Sequence, residues 1–219
     1  MAFLPIIGGM FQSPNPDLRW CSDGLEFRCL NGEIVAATFV IDCCDRDLSL
    51  VAKSGKGLTS AMVQDALVIA TERRFGNSSE NHVPVQFLTD NGAAYTSIST
   101  QALVCRLGQV DCKTPVCSLQ SNGIAEALVK ILKRDYLPFI DLTNAHTTMK
   151  SLGKVQDLYN RQHPHSALGY LSPKDFCELH SYPKTLEQTH CVSEEMFSAP
   201  PLAIKLAKQA SRSSLRPRF

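Results

Sequence analysis

The stretch Ile34 to Ile41, Ile-Val-Ala-Ala-Thr-Phe-Val-Ile, is a nearly unbroken apolar run between two further strand-like runs, Arg19 to Arg28 and Leu48 to Lys53. Asn31-Gly32 lies in the first link and Asp45-Arg46-Asp47 in the second, both turn-forming and too short for a crossover. Strands joined this way pair as an antiparallel meander. The periodicity then changes. From Thr59 to Phe75, Met62, Ala66, Ile69 and Val63, Leu67, Ala70 recur at three- and four-residue spacing, which predicts a helix stopped by Gly76-Asn77. Val83 to Thr89 reads as a fourth strand, Ser97 to Leu107 as a short helix and Gln109 to Lys113 as a fifth strand. Ile124 to Tyr136 and about Thr143 to Tyr159 read as two more helices. Three strands followed by alternating helix and strand give an α/β fold, a mixed sheet with helices packed on its faces.

The chain of 219 residues suits one globular domain with extensions. With 44% hydrophobic and 20% charged residues it is neither disordered nor collagen-like. A formal charge of +1 supplies no global positive field, so any nucleic-acid contact must be local. Nine cysteines include no C-x-x-C pair, which argues against a zinc knuckle and for reduced, mostly buried thiols in a reducing cytoplasm. The apolar opening Met1 to Phe11 lacks a cationic start and is too short to span a bilayer, so no membrane partner is expected. The turn-rich Ser13-Pro-Asn-Pro-Asp17 sets off residues 1–16 as an appended segment and 17–176 as the core. Lys205 to Phe219 carries five basic and no acidic residues, which reads as a flexible cationic tail.

Three carboxylates stand out. Asp90, in Phe87-Leu-Thr-Asp-Asn-Gly-Ala-Ala-Tyr95, ends a strand just before a glycine turn, where a side chain can point into a cleft. Glu126 lies in the first turns of a helix; at ~100° per residue it shares a face with Lys130 and Lys133, opposite Ile124, Leu128 and Ile131. Asp23 sits within the first strand, although Glu26 or Asp42 offers an alternative first carboxylate. A lone aspartate at a strand end is more often a turn former than a catalyst, so context has to decide. Asp42 and Asp45 are read as strand-end or salt-bridge residues, and Asn91, Gly92, Asn122 and Gly123 as turn residues that shape the cleft.

Thirty-five residues separate Asp90 from Glu126, and a lysine, Lys133, follows the glutamate by seven. This triad resembles the D,D-35-E signature of retroviral integrases and of insertion-sequence transposases with the integrase-type core. Arg19-Trp-Cys-Ser-Asp-Gly, Phe39-Val-Ile-Asp-Cys-Cys-Asp-Arg, Leu88-Thr-Asp-Asn-Gly, Ser121-Asn-Gly-Ile-Ala-Glu and Tyr159-Asn-Arg-Gln-His-Pro-His-Ser-Ala-Leu-Gly-Tyr-Leu-Ser-Pro173 extend the resemblance in order over roughly Leu18 to Phe176.

The resemblance implies a ribonuclease-H-like fold in which Asp23, Asp90 and Glu126 are catalytic and bind two Mg²⁺ (or Mn²⁺) ions. The implied reaction is cleavage of double-stranded DNA at element ends and transfer of the freed 3′-hydroxyl into target DNA, in a homo-oligomer. Lys130 and Lys133 are candidate phosphate contacts, and His165, in a His-x-His loop beside the cleft, a third DNA-contact candidate rather than half of a metal pair. Such transposases carry a helix-turn-helix region, often encoded in an upstream frame, and a protein of that kind is an expected partner. Beyond Phe176 the resemblance fades, so residues 177–219 are expected to be a divergent extension. The competing expectation is an inhibitory, DNA-binding remnant without productive catalysis.

Overall fold

The computed structural model describes residues 13–76, 84–114 and 122–180. Three antiparallel strands, β1 (Arg19–Arg28), β2 (Ile34–Asp42) and β3 (Leu48–Ser54), form the meander, and β4 (Gln86–Thr89) and β5 (Val110–Lys113) extend it in parallel with β1. The strand order β3-β2-β1-β4-β5 makes the expected five-stranded mixed sheet with helices on its faces. From Val35 to Asp42 every residue of β2 is buried, which explains the apolar run: a strand covered on both faces cannot alternate.

Successive residues of β1 and β2 point to opposite faces and so seed two cores. Trp20 and Val40 pack with Val63, Leu67, Phe87 and Val104 under α1 (Ser60–Phe75) and α3 (Ile98–Arg106). Cys21, Phe39 and Ile41 pack with Leu128, Leu152 and Tyr159 under α4 (Gly123–Ile131) and α5 (Ala145–Gln162).

Element ends follow capping chemistry. Thr59 accepts from Met62 N, Ser97 from Thr100 N and Asn144 from Thr147 N, so α1, α3 and α5 begin one residue after each cap. The third long helix therefore starts later than Thr143 and continues to Gln162, stopping at His163 because the residue before Pro164 is driven out of helical geometry. The helix expected through Tyr136 ends at Ile131; one π-helical turn (Leu132–Tyr136) and a 3₁₀ turn containing Pro138 follow. Its most buried stripe is Ala125, Leu128 and Leu132, with Ile124 and Ile131 only partly covered.

Two helices have no counterpart in the periodicity: α2 (Ala93–Thr96), a single turn, and α6 (Pro173–His180), begun by proline and by Ser172 Oγ accepting from Asp175 N. The chain is engaged with the sheet already at Ser13, which is buried and donates its N–H to Cys43 O. Among the described residues four cysteines (21, 29, 43, 44) are buried thiols, Cys112 and Cys177 are half-buried and Cys105 is exposed, while Cys117 and Cys191 lie outside those residues. No helix among the described residues is long and apolar enough to cross a membrane. The apolar opening, the expected start of β4 at Val83, the Ser121 end of its motif and the basic tail lie outside the described residues.

Candidate active site

Register brings the first two acids abreast. β4 runs parallel to β1 with Cys21 opposite Leu88, so two residues further along each chain Asp23 and Asp90 reach the same level. Asp23 lies two positions after Cys21 and therefore faces the α4 side. Glu126 comes from the first turn of α4, which packs over β1.

Side chains fix this arrangement from both faces of the sheet. Asn122 Nδ2 donates to Ser22 O at 3.2 Å, tying the start of α4 to the residue before Asp23. From the other face, Tyr95 OH lies 2.9 Å from Ser22 Oγ and 3.2 Å from Thr38 Oγ1, and Thr38 Oγ1 donates to Asp23 O at 3.0 Å. Gly24 N donates to Asp23 Oδ1 at 2.7 Å and Gly92 N to Asp90 Oδ1 at 2.9 Å. A Cβ at Gly92 would stand 2.9 Å from that same Asp90 oxygen, so the turn needs glycine for close approach.

The surroundings alter the ionisation of Asp23. Burial raises the Asp23 carboxyl above its usual range; the charges of Asp90 and Glu126 add to this, while the Gly24 hydrogen bond and Lys133 oppose it. Asp90 and Glu126 are exposed. Among the described residues no three acidic, histidine or cysteine side chains are drawn close enough to enclose an ion. The donor set is all oxygen, and a half-buried carboxyl flanked by two more acids is a site whose repulsion a hard cation relieves.

The other candidates for the first carboxylate are engaged elsewhere. Asp42 is fully buried and accepts from Cys44 N (2.6 Å), Asp17 N (2.7 Å), Asp45 N (3.1 Å) and Trp20 Nε1 (3.1 Å), while Glu26 accepts from Gly57 N at 2.6 Å. Asp45 pairs with Arg74 at 2.8 Å.

Lys133 is close enough to Asp23 to act on its carboxyl. Lys130 instead lines a groove of ≈ 520 Å³ on the flank of α4, together with Glu126, Arg46 and His165. His165 is half-buried, its ring edge-on to Tyr159 (5.2 Å) and His163 (4.9 Å). Burial first, then His163 and Arg46, push its pKa down to about 4. His163 stacks on Tyr159 at 5.1 Å, with Nδ1 3.0 Å from Tyr136 OH, so the two histidines are packed rings. Sequence reasoning left out Tyr95, whose only signal was an aromatic residue just past the glycine turn, and Arg46, which looked like any turn residue.

The integrase core domain family matches residues 13–112, and a second integrase core domain model matches 114–173. The chain is 46% identical over 158 residues to the putative transposase InsD for insertion element IS2E of Escherichia coli K12, covering 72% of each. It matches the longer transposase InsD for insertion element IS2A/D/F/H/I/K of Escherichia coli at the same identity, but spans only 52% of that protein. Among solved structures it resembles a chain of the simian T-cell lymphotropic virus intasome, solved with a PP2A regulatory subunit (TM-score 0.61, 20% identity, 87% of this chain and 60% of that one). It also resembles the HTLV-2 integrase catalytic core domain in complex with magnesium, trimeric form (TM-score 0.56, 16% identity, 75% of this chain and 99% of that one). The fold is that of retroviral integrase catalytic cores, the ribonuclease-H-like architecture expected from the motifs.

Proposed function

The chain belongs to the insertion-element transposases with an integrase core domain, and from that premise we propose that it cuts DNA at element ends and joins the freed 3′-hydroxyl to target DNA. The observation that carries the reading is the parallel register of β1 and β4, which sets Asp90 level with Asp23, together with the packing of α4, whose first turn carries Glu126, over β1. Asp23, Asp90 and Glu126 are the proposed metal ligands, and magnesium, held by the HTLV-2 relative in fold, is the proposed ion, with manganese as substitute and two ions as the proposed number. When bound, such ions activate the attacking oxygen and stabilise charge on the leaving oxygen of an in-line displacement at phosphorus.

The chain's own residues hold the reacting groups. Asp23 is fixed in place by Gly24 N and by the Thr38 bond to its carbonyl, Asp90 by Gly92 N, and Glu126 by the Asn122 tie. Lys133 and Lys130 are proposed to take backbone phosphates, which positions DNA without reading its sequence. His165 is proposed to meet DNA through the groove it lines. The proposed catalytic core is 17–176, with contacts of Ser13 and Cys177 carrying the packing a few residues past each limit. A second copy of the chain and an end-reading helix-turn-helix protein are the proposed partners. The inhibitory remnant is the less favoured reading, because relatives of the chain are transposases and all three acids are present.

The deciding experiment is joining of a labelled, pre-cut oligonucleotide to plasmid DNA with Mg²⁺ or Mn²⁺, by the wild type and by Glu126→Gln. Joining that vanishes in the variant, with folding and coarse DNA binding retained, supports the assignment. Equal joining by both proteins would falsify it, and no joining by a folded, DNA-binding wild type would revive the remnant.

A further inference from the structure

Arg46 sits in the turn between β2 and β3 with φ 64°, a left-handed conformation that costs a non-glycine residue about 1 kcal/mol or more. Asp42 holds the turn: its carbonyl accepts Arg46 N at 3.2 Å and its carboxylate accepts Cys44 N and Asp45 N. The result directs Arg46 inward, where it is 8% exposed and its Nη1 is buried with no hydrogen-bond partner. The acids beside it in sequence are committed to other cations: Asp45 to Arg74, and Asp47 to Arg73 and Arg74. A guanidinium nitrogen withdrawn from water without an acceptor is costly, and an anion within reach of the group would offset that cost.

A second nitrogen points the same way. His165 Nε2 is also buried without a partner, and both residues line the groove on the flank of α4. Lys130 and Ser166 line it too, adding an ammonium and a hydroxyl donor. Its volume of ≈ 520 Å³ falls within the range of small-ligand sites.

We propose that this groove binds a phosphate group, seated between Arg46 and His165 with Lys130 at its rim. Rotation of the guanidinium about its terminal bonds presents its paired donors to two phosphate oxygens, the fork geometry that distinguishes arginine from lysine at such sites. The neutral imidazole donates a single N–H. Glu126 lines the same groove, so the bound phosphate lies beside the acidic triad. Its source is the backbone of a DNA strand running past α4; that identification rests on the proposed function, whereas the phosphate chemistry rests on the groove alone.

The test is NMR of the full chain with ¹⁵N-labelled histidine and arginine side chains, titrated with inorganic phosphate at ionic strength held constant with chloride. A saturable shift of the His165 ring and of Arg46, absent with chloride and weakened at least about tenfold in Arg46→Gln, is expected. A non-saturating response, or one that chloride reproduces, overturns the site, as does full retention in the variant. Should Arg46→Gln fail to fold, His165→Phe keeps the ring packing and removes the donor; unchanged phosphate affinity there overturns the proposal equally. With a short duplex in place of phosphate, Arg46→Gln should lower the salt slope by about one; an unchanged slope overturns the DNA source. Strand joining without saturable phosphate binding counts against this groove alone, and phosphate binding without strand joining counts against the proposed function alone.

Discussion

Gly92 shows how narrowly a single residue can set the site. Its N–H holds Asp90 Oδ1 at 2.9 Å, and the space a methyl group would take is already occupied by that oxygen. Gly92→Ala therefore has to displace the carboxylate. The φ there is −60°, so the backbone tolerates alanine and the effect falls on the acid rather than on the turn. Strand joining is expected to fall by about 100-fold or more, since displacement of about 1 Å at a reacting group costs that much, while the melting temperature moves little. A variant that joins DNA at the wild-type rate would show Asp90 is not held where chemistry needs it. The glycine's role as a turn former was legible in Asp-Asn-Gly; the contact with the carboxylate was not, because it depends on a side-chain position that spacing does not encode.

Among the elements, α4 is the one whose placement decides the site, and it is held by two attachments of different kinds. Leu128, 1% exposed, anchors its buried stripe in the core under α4 and α5, so Leu128→Ala should cost about 2–5 kcal/mol in urea denaturation. Asn122 contributes a single bond to Ser22 O, and its Oδ1 is itself buried without a partner, so Asn122→Ala should cost only about 1 kcal/mol or less. Joining should nevertheless drop more in Asn122→Ala than in Leu128→Ala measured well below its melting temperature, because the first frees the end of the helix that carries Glu126. The reverse ranking would mean that packing alone aligns the acid. Periodicity located α4, α1 and α5 because each buries a continuous stripe, and the strands because β2 is covered on both faces. It could not locate α2, a single turn with no room for a stripe, nor the π turn at Leu132–Tyr136, which shifts the helical phase without changing composition. The proposed triad rests on motif order; the backbone hydrogen bonds that engage Asp42 and Glu26 elsewhere, and that favour Asp23 as its proposed first member, appear only in three dimensions.

Across the whole molecule, one buried ion network joins segments that the sheet alone does not. Arg74, near the end of α1, reaches Asp17 ahead of β1 at 2.7 Å and Asp45 in the β2–β3 turn at 2.8 Å, with Asp47 at 3.8 Å; Asp45 in turn accepts from Cys177 Sγ of α6 at 3.3 Å. Four acids crowd this region, and burial raises Asp42 to about 7, with Asp45 adding to it, and Asp47 to about 6, against the opposing charges of Arg73 and Arg74. Removing one partner of a buried pair leaves charge uncompensated, so Arg74→Met should destabilise the protein by about 3–5 kcal/mol at pH 7.5. The sign of the pH dependence follows from proton binding. Because the folded pKa values of Asp42 and Asp47 lie above the unfolded value near 4, the folded state holds protons that the unfolded chain has released between pH 4 and about 7, and these two groups favour folding less as pH rises through that window. Without Arg74 the acids bind protons more readily still, so the variant's deficit should shrink at pH 5. Urea titrations of both proteins at pH 5 and 7.5 measure it directly. A deficit that stays constant or grows on acidification would mean that Arg74 acts through its packed stem rather than its charge.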